Sequence, residues 1–514
     1  MQEGATQRLK RGKKVAINVM ASFLQQAVAM ICGLITPRLM LRAFGSAYNG
    51  VISSATQLMS VISILTLGIA GAVRAELYPA LAYNDHKKMS EIMKAANDHM
   101  HKVGFAVLAY AAVLMLVFPY ISHSDIPHAQ SALIIGIIAI DTFCLYYFGS
   151  NNYQLLIADQ KVYLKSFLAS GVMILNTIMI ALVIHMGGNI FEVKAASALV
   201  YMITPVATAI FVKHHYRLDK HCIPPEDTLK KRKDAAAHSL ANIIHDNTDT
   251  IVLTAFLDIK YVSVYTIYYA IVGKIKTIIS ESSAGIEAAF GEMWAKQEMD
   301  SLRKTFHIYE YVMCLFVIIV FSCVAVLLVP FIELYTDKVT DINYSRTDFA
   351  LLITAAEAVF CIRQPYRMLV HATGFYKETK KAAIIEAGIN LISSILFVYF
   401  FGLNGVIIGT LLANAYRTLS YSVFVSKNVL MQSMRPVLAR WLWTGTTMLL
   451  TVIVSECTLS FIKYGGWGGW MIKGFAAFFI SVVIAVMMSV FFFRTEFTEM
   501  SHLLIKKIHS IIRN

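Results

Sequence analysis

A chain of 514 residues that is 57% hydrophobic and only 15% charged is not an ordinary soluble protein. The net charge of +13 raises the question of nucleic acid, but the basic residues fall in short clusters between apolar runs and form no nucleic-acid module. The seven cysteines lie mostly in apolar segments without a C-x-x-C spacing, so neither a disulfide framework nor a zinc site is indicated.

The chain opens on RLKRGKK followed by an apolar run. No small-residue cleavage site follows, and the run is long enough to span a bilayer, so it reads as a retained signal anchor. Within it, Asn18, Ser22, Gln25 and Gln26 follow helical spacing and share one face. Amides are costly in hydrocarbon, so that face looks into protein or water. Such a stripe either glues the helix to its neighbours or serves function. Pro37-Arg38, Arg42, Gly45, Tyr48 and Gly50 at its far end favour function.

Apolar runs of span length occupy fourteen stretches: 15–37, 48–72, 103–122, 130–150, 163–186, 193–213, 236–257, 261–283, 307–332, 347–369, 382–401, 404–426, 437–458 and 471–493. With the N-terminus inside, inner segments and span ends carry 36 Lys/Arg against 8 on the outer side, which places both termini in the cytoplasm. The longest connection, near 214–235, is too short for a folded domain. Residues 84–101 (NDHKKMSEIMKAANDHMH) and the tail 495–514 read as basic amphipathic helices on the inner leaflet, drawn there by anionic membrane lipids.

A weak internal repeat relates the halves. Phe143-Cys144 has a counterpart in Phe360-Cys361, and Asn176 and Gly188 match Asn390 and Gly402 at one constant offset. Spans 1–6 thus stand against spans 7–12 as a parallel repeat, with two spans left over. The expected fold is an all-α polytopic membrane protein of about fourteen transmembrane helices. Its parts are an N-terminal lobe (1–234), a C-terminal lobe (235–430) and two additional spans with a basic tail (431–514).

The pattern N…S…Q…PR…R..G…YNG, continuing to LGIAGAVRAELYPAL with Arg74, resembles the start of Wzx-type polysaccharide flippases. These belong to the multidrug/oligosaccharidyl-lipid/polysaccharide exporter (MOP) superfamily. The likeness is specific over roughly the first hundred residues and helix by helix afterwards; Asn49 is inserted into the usual tyrosine-glycine pair.

Nothing in the chain carries an enzyme's signature: there is no Walker loop, G-x-S-x-G, H-E-x-x-H or strand-borne GxGxxG. No catalytic residue, metal site or cofactor is expected. The candidates are ionisable groups at membrane depth, each costing ~2.5–3.5 kcal/mol or more to insert. Arg417 lies thirteen residues into its span, ~20 Å deep at a helical rise, and Lys274 is comparably deep. Arg38 and Arg42 end span 1 and Arg74 ends span 2. Lys276, Arg363 and Arg367 lie near the inner surface, within snorkelling reach.

The resemblance implies a cationic cavity for the pyrophosphate and acidic sugars of an undecaprenyl-linked oligosaccharide. By it, Arg38, Arg42, Arg74, Lys274 and Arg417 are the substrate-binding candidates, arginine being suited to phosphate by its fork of donors. The alternative for each is structural pairing with a buried acid. The mid-depth acids are Asp141, Asp246, Asp249 and Glu357, with Glu281 and Glu386 closer to the inside. Asn242, Asp246 and Asp249 form one stripe on span 7. These acids are candidates for H⁺ or Na⁺ coupling; alternatively, one of them only neutralises Lys274.

The function implied is flipping a lipid-linked oligosaccharide across a bacterial inner membrane for surface polysaccharide such as lipopolysaccharide O-antigen. A polysaccharide polymerase and glycosyltransferases of the same pathway are the expected partners. A peptidoglycan-precursor flippase or a drug or metabolite exporter of the same superfamily are the alternatives. A membrane polymerase or glycosyltransferase is the alternative of a different class, but the chain lacks the large outer loop or metal-binding acidic motif usual in such enzymes.

Overall fold

The computed structural model describes residues 2–219, 222–223, 236–282, 284–461 and 465–502, with side chains from 17 onward except at 236–242, 244–246, 280–282 and 284–285. The described residues are helices and short connections, and the protein is an all-α multi-pass membrane protein. Ten helices among the described residues are long and apolar enough to cross a membrane. Each of the fourteen stretches read from the sequence is occupied by helix over its described residues, several of them interrupted. The chain divides into two compact units, Met1–Val264 and Tyr265–Asn514.

In the first unit, α1 (Gln2–Ser60) carries the first two apolar stretches as one helix, broken in its backbone only at Gly45, with φ 82° and ψ 178°. A side chain is strained at that φ, so glycine lets the chain turn there without ending the helix. A 3₁₀ turn (Val61–Thr66) and the left-handed Gly68 then separate it from α2 (Ile69–Ala82).

Four residues of the opening motif are engaged in packing. Asn18 bridges the chain before α6 (Val162–His185), donating to the Gln160 carbonyl at 2.9 Å and accepting from the Tyr163 N–H at 2.9 Å. The Tyr48 hydroxyl donates to Gln130 at 2.6 Å on α4 (His128–Cys144). The inserted Asn49 is buried and donates to the Ser263 hydroxyl at 2.7 Å. A Cβ on Gly50 would collide with the Ile259 backbone carbonyl.

The apolar face of residues 84–101, read as a lipid-facing one, is occupied by protein. These residues form the first half of α3 (His86–Ile121), capped by Asp85, and bury Met89, Ile92, Met93, Ala96 and Met100 against α2 and α5 (Ser150–Ala158). α6 is followed by α7 (Ile190–His215), which opens in a capping box of Asn189 and Glu192. α8 (Ala236–Phe256) joins this unit through Ser54–Thr254 (2.7 Å) and Ser60–Asn247 (2.7 Å).

The second unit contains the remainder of α9 (Ile259–Ser282), then α10 (Ala284–Ala295), α11 (Met299–Tyr335), α12 (Thr347–Ile362) and α13 (Gln364–Thr373). It continues through α14 (Tyr376–Phe401), α15 (Leu403–Asn428), α16 (Arg435–Leu459) and α17 (Trp467–Phe492). The two added helices, α16 and α17, pack on α11 around Tyr311, Cys314, Ile318, Trp443 and Ala485. The described part of the tail is also held by protein. Phe497 and Met500 pack against this cluster, and Glu496 and Glu499 pair with Arg440 and Lys304.

The internal repeat has a structural counterpart in each unit. Phe143-Cys144 end α4, where a π-helical turn (Leu145–Gly149) begins; Phe360-Cys361 stand at the end of α12, where the helix breaks before α13. Asn176 and Asn390 are both buried, and each donates to a hydroxyl on the following helix, Tyr201 at 3.3 Å and Thr410 at 2.9 Å.

Candidate functional site

In the first unit, α1, α4 and α7 surround a cavity of about 400 Å³. Thr56, Ser60 and Ser63 come from α1 and its 3₁₀ extension, Asp141, Thr142 and Tyr146 from α4 and the π turn, and Lys194, Ser197 and Tyr201 from α7. The capping box starting α7 at Asn189 sets Lys194 little more than a turn into the helix, and Ser197 and Tyr201 follow on the same face. Asp141 interacts electrostatically with both Lys194 and Tyr201. Tyr201 in turn is held by Asn176. The cavity therefore presents one acid and one base in a wall of hydroxyls, and ionisable groups at membrane depth mark candidate sites.

The local backbone is irregular on two elements that face each other here. The π turn adds a residue to the helix, and such turns recur at functional sites. It points Tyr146 into the cavity and leaves Tyr147 stacked on His101 outside it, with ring centroids 4.2 Å apart. Opposite, Pro205 has no N–H to give the Tyr201 carbonyl one turn earlier. Gly149 packs directly on Pro205, where an added Cβ would lie 2.7 Å from the proline Cβ.

The sequence candidates scatter around this site. Asp141 lines it, whereas Arg38, Arg42 and Arg74 do not. Arg38 and Arg74 are half-buried on α1 and α2, and Arg42 is exposed. Asp249 is buried on α8. The side chains of Asn242, Asp246 and Glu281 lie outside the described residues. Lys274 is half-buried on α9.

Arg417 does not face an open cavity. It is 3% exposed, ion-paired with Glu386 at 3.6 Å, and donates to the Thr379 carbonyl (3.2 Å) and the Tyr421 hydroxyl (2.7 Å). Arg363, at the break between α12 and α13, pairs with the same Glu386 and lies over the Phe360 ring. Arg363 is thus buried in an ion pair rather than snorkelling. Lys276 stands over Phe360 at 4.3 Å, and Glu357 is buried on α12. Arg417 and Arg363 thus share one buried acid, the kind of pairing named as the alternative to substrate binding for Arg417.

Two groups carry little signal in the sequence. Lys194 stands at the start of its apolar run, one of the eight outer-side Lys/Arg, yet it lines the cavity with Asp141. Glu310 on α11 is 1% exposed and accepts from both Arg440 and Tyr366. An acid and a base of opposite sign in separate spans were its only signal.

The sequence matches no protein-family model and no curated protein. In structure, the chain is similar to the lipid II flippase MurJ in its inward closed conformation, with TM-score 0.69 and 16% identity over 93% of this chain and 99% of the flippase. It is also similar to the Vibrio cholerae MATE transporter VcmN in its bent form (0.54, 14% identity, 81% of this chain and 97% of that one). An inward-facing multidrug resistance MATE transporter of the MOP superfamily gives 0.52 at 15% identity, over 80% and 96%. At these identities what is shared is the fold.

Proposed function

We propose that this protein is a flippase of the MOP superfamily that moves an undecaprenyl-pyrophosphate-linked oligosaccharide across a bacterial cytoplasmic membrane, with both termini inside. The observation that carries the reading is the end-to-end likeness to a lipid flippase. It takes in 93% of the chain, whereas the MATE transporters match 79–82% of it at lower similarity. The opening motif adds the polysaccharide class of substrate. Arg38, Arg42 and Arg74 in the first unit, and Lys274 and Arg417 in the second, are the cations proposed to bind the anionic substrate, Arg417 being also paired with Glu386.

Coupling is assigned to the cavity of the first unit. Asp141 takes up the cation and Lys194 sets its charge balance. A peptidoglycan-precursor flippase is the second reading, favoured by the same likeness, since the similar flippase acts on lipid II.

The test is transport by the purified protein in liposomes, offered the undecaprenyl-linked oligosaccharide or lipid II, with and without imposed proton or sodium gradients. The oligosaccharide is expected to move, and Asp141→Asn to make the rate indifferent to the gradient. Movement of lipid II alone establishes the second reading. Gradient-independent transport by the unaltered protein removes the coupling role.

A further inference from the structure

A second cavity of about 380 Å³ lies in the first unit on the other side of the π turn, between α3 and the end of α7. Its size is that of a small-ligand site. The segment after α7 folds over it: the Asp219 N–H donates to Ser90 at 3.0 Å, and the Tyr216 hydroxyl donates to Asp159 at 2.5 Å. Burial and the Asp159 carboxylate push the Tyr216 phenol up from its ordinary value, so the hydroxyl stays a donor.

Among the described residues the wall is balanced in charge. Lys94 and Lys213 face Asp98 and Asp219, and Lys94 pairs with Asp98 at 2.9 Å. The stacked His101–Tyr147 pair supplies an aromatic face, and Asn97 and Asn152 add amides.

A stripe of apolar side chains runs from this cavity along α7. Leu199, Ile203, Val206 and Ile210 follow helical spacing at 67%, 39%, 37% and 53% exposure, and Ile210 itself lines the cavity. At a helical rise the stripe is ~16 Å long, close to the ~15 Å of one leaflet of hydrocarbon. An apolar track one leaflet long that ends in a polar chamber has the dimensions of a single lipid.

We propose that this cavity is the headgroup site of a zwitterionic phospholipid carrying a primary ammonium. Its phosphate lies between Lys94 and Lys213, its ammonium lies against Asp98, Asp219 and the Tyr147 ring, and an acyl chain follows Leu199 to Ile210. Two bases and two acids match a zwitterion better than an anion, which would meet both carboxylates. A primary ammonium has three N–H donors for the carboxylates and amides, where a quaternary one has none. Its positive charge also suits the tyrosine face. The site is separate from the Asp141 cavity and does not depend on what the protein carries.

The test reads lipid retention, not transport, and so fails independently of the flippase reading. The full-length protein, freed of lipid in detergent, is offered equimolar phosphatidylethanolamine, phosphatidylcholine and phosphatidylglycerol and weighed by native mass spectrometry. Phosphatidylethanolamine is expected to be retained preferentially, and Asp98→Asn with Asp219→Asn to cut its preference over phosphatidylglycerol about tenfold, the loss of charge-assisted contacts. Equal retention, preference for phosphatidylglycerol or phosphatidylcholine, or an unchanged preference in a folded double variant overturns the proposal. Should the variant not fold, a phosphatidylethanolamine with a photoactivatable acyl chain decides the matter on the unaltered protein. Crosslinks to the 199–210 stretch support the site, and their absence there overturns it.

Discussion

Glu310 and Asp141 are both acids at membrane depth, and their surroundings assign them opposite tasks. Glu310 is enclosed by Arg440 and Tyr366, with His307 3.7 Å away, so its charge is committed to holding α16 on α11. Removing one partner of such a buried pair leaves the other uncompensated, at about 3–5 kcal/mol. Glu310→Gln is therefore expected to lower the thermal unfolding midpoint of the detergent-solubilised protein sharply. Glu496→Gln, at the half-open end of the same network, is expected to cost under about 1 kcal/mol. Equal effects would show that enclosure does not set the strength of these pairs. Asp141 instead borders a cavity, so Asp141→Asn is expected to leave the unfolding midpoint near that of the unaltered protein. Gly50 is a residue-scale constraint of another kind. Gly50→Ala pushes a methyl into the Ile259 carbonyl, and overpacking of this type costs about 1–3 kcal/mol. A fall in folded protein recovered from the membrane measures it.

Among the elements, the interrupted fourth helix of each half carries the clearest consequence. A π turn holds one residue more than the α-helical ladder requires, and deleting a residue restores that ladder. Deleting Phe148 is expected to leave α4 and α5 helical and the protein in the membrane. It should also turn Tyr147 off His101 and abolish transport. Circular dichroism checks the first outcome and liposome transport the second; full transport by the deletion variant would show that the turn is only a packing accommodation. In the second half the corresponding break lies at Arg363, where two arginines converge on Glu386 and the excess positive charge is shared with the Phe360 ring.

For the whole molecule, the charge asymmetry of the loops predicts which ends of the helices share a side. In a cysteine-free background, Tyr83→Cys between α2 and α3 and His123→Cys between α3 and α4 stand at opposite ends of one membrane-spanning helix. Only His123→Cys is expected to react with an impermeant thiol reagent applied outside intact cells, and Tyr83→Cys only after permeabilisation. Reaction of Tyr83→Cys from outside would invert the orientation.

Periodicity and hydropathy were enough to locate the helices, because a segment crossing hydrocarbon must satisfy its backbone within itself and so declares its length locally. The Phe-Cys pairs and the matched Asn176 and Asn390 read in the sequence only as a repeat; that they stand at helix breaks and at inter-helix hydrogen bonds is visible in the structure alone. Partnership was not legible. Arg417 and Asp141 look alike in sequence, as charges deep in apolar runs, yet one is enclosed by Glu386 and Tyr421 and the other opens on a cavity with Lys194. The amphipathic face at 84–101 was equally plain, but whether lipid or protein covers it depends on α2 and α5. Burial of an apolar face is a local requirement, whereas the identity of the covering surface and the sign of the nearest charge are set by residues far away in the chain, which only the tertiary structure brings together.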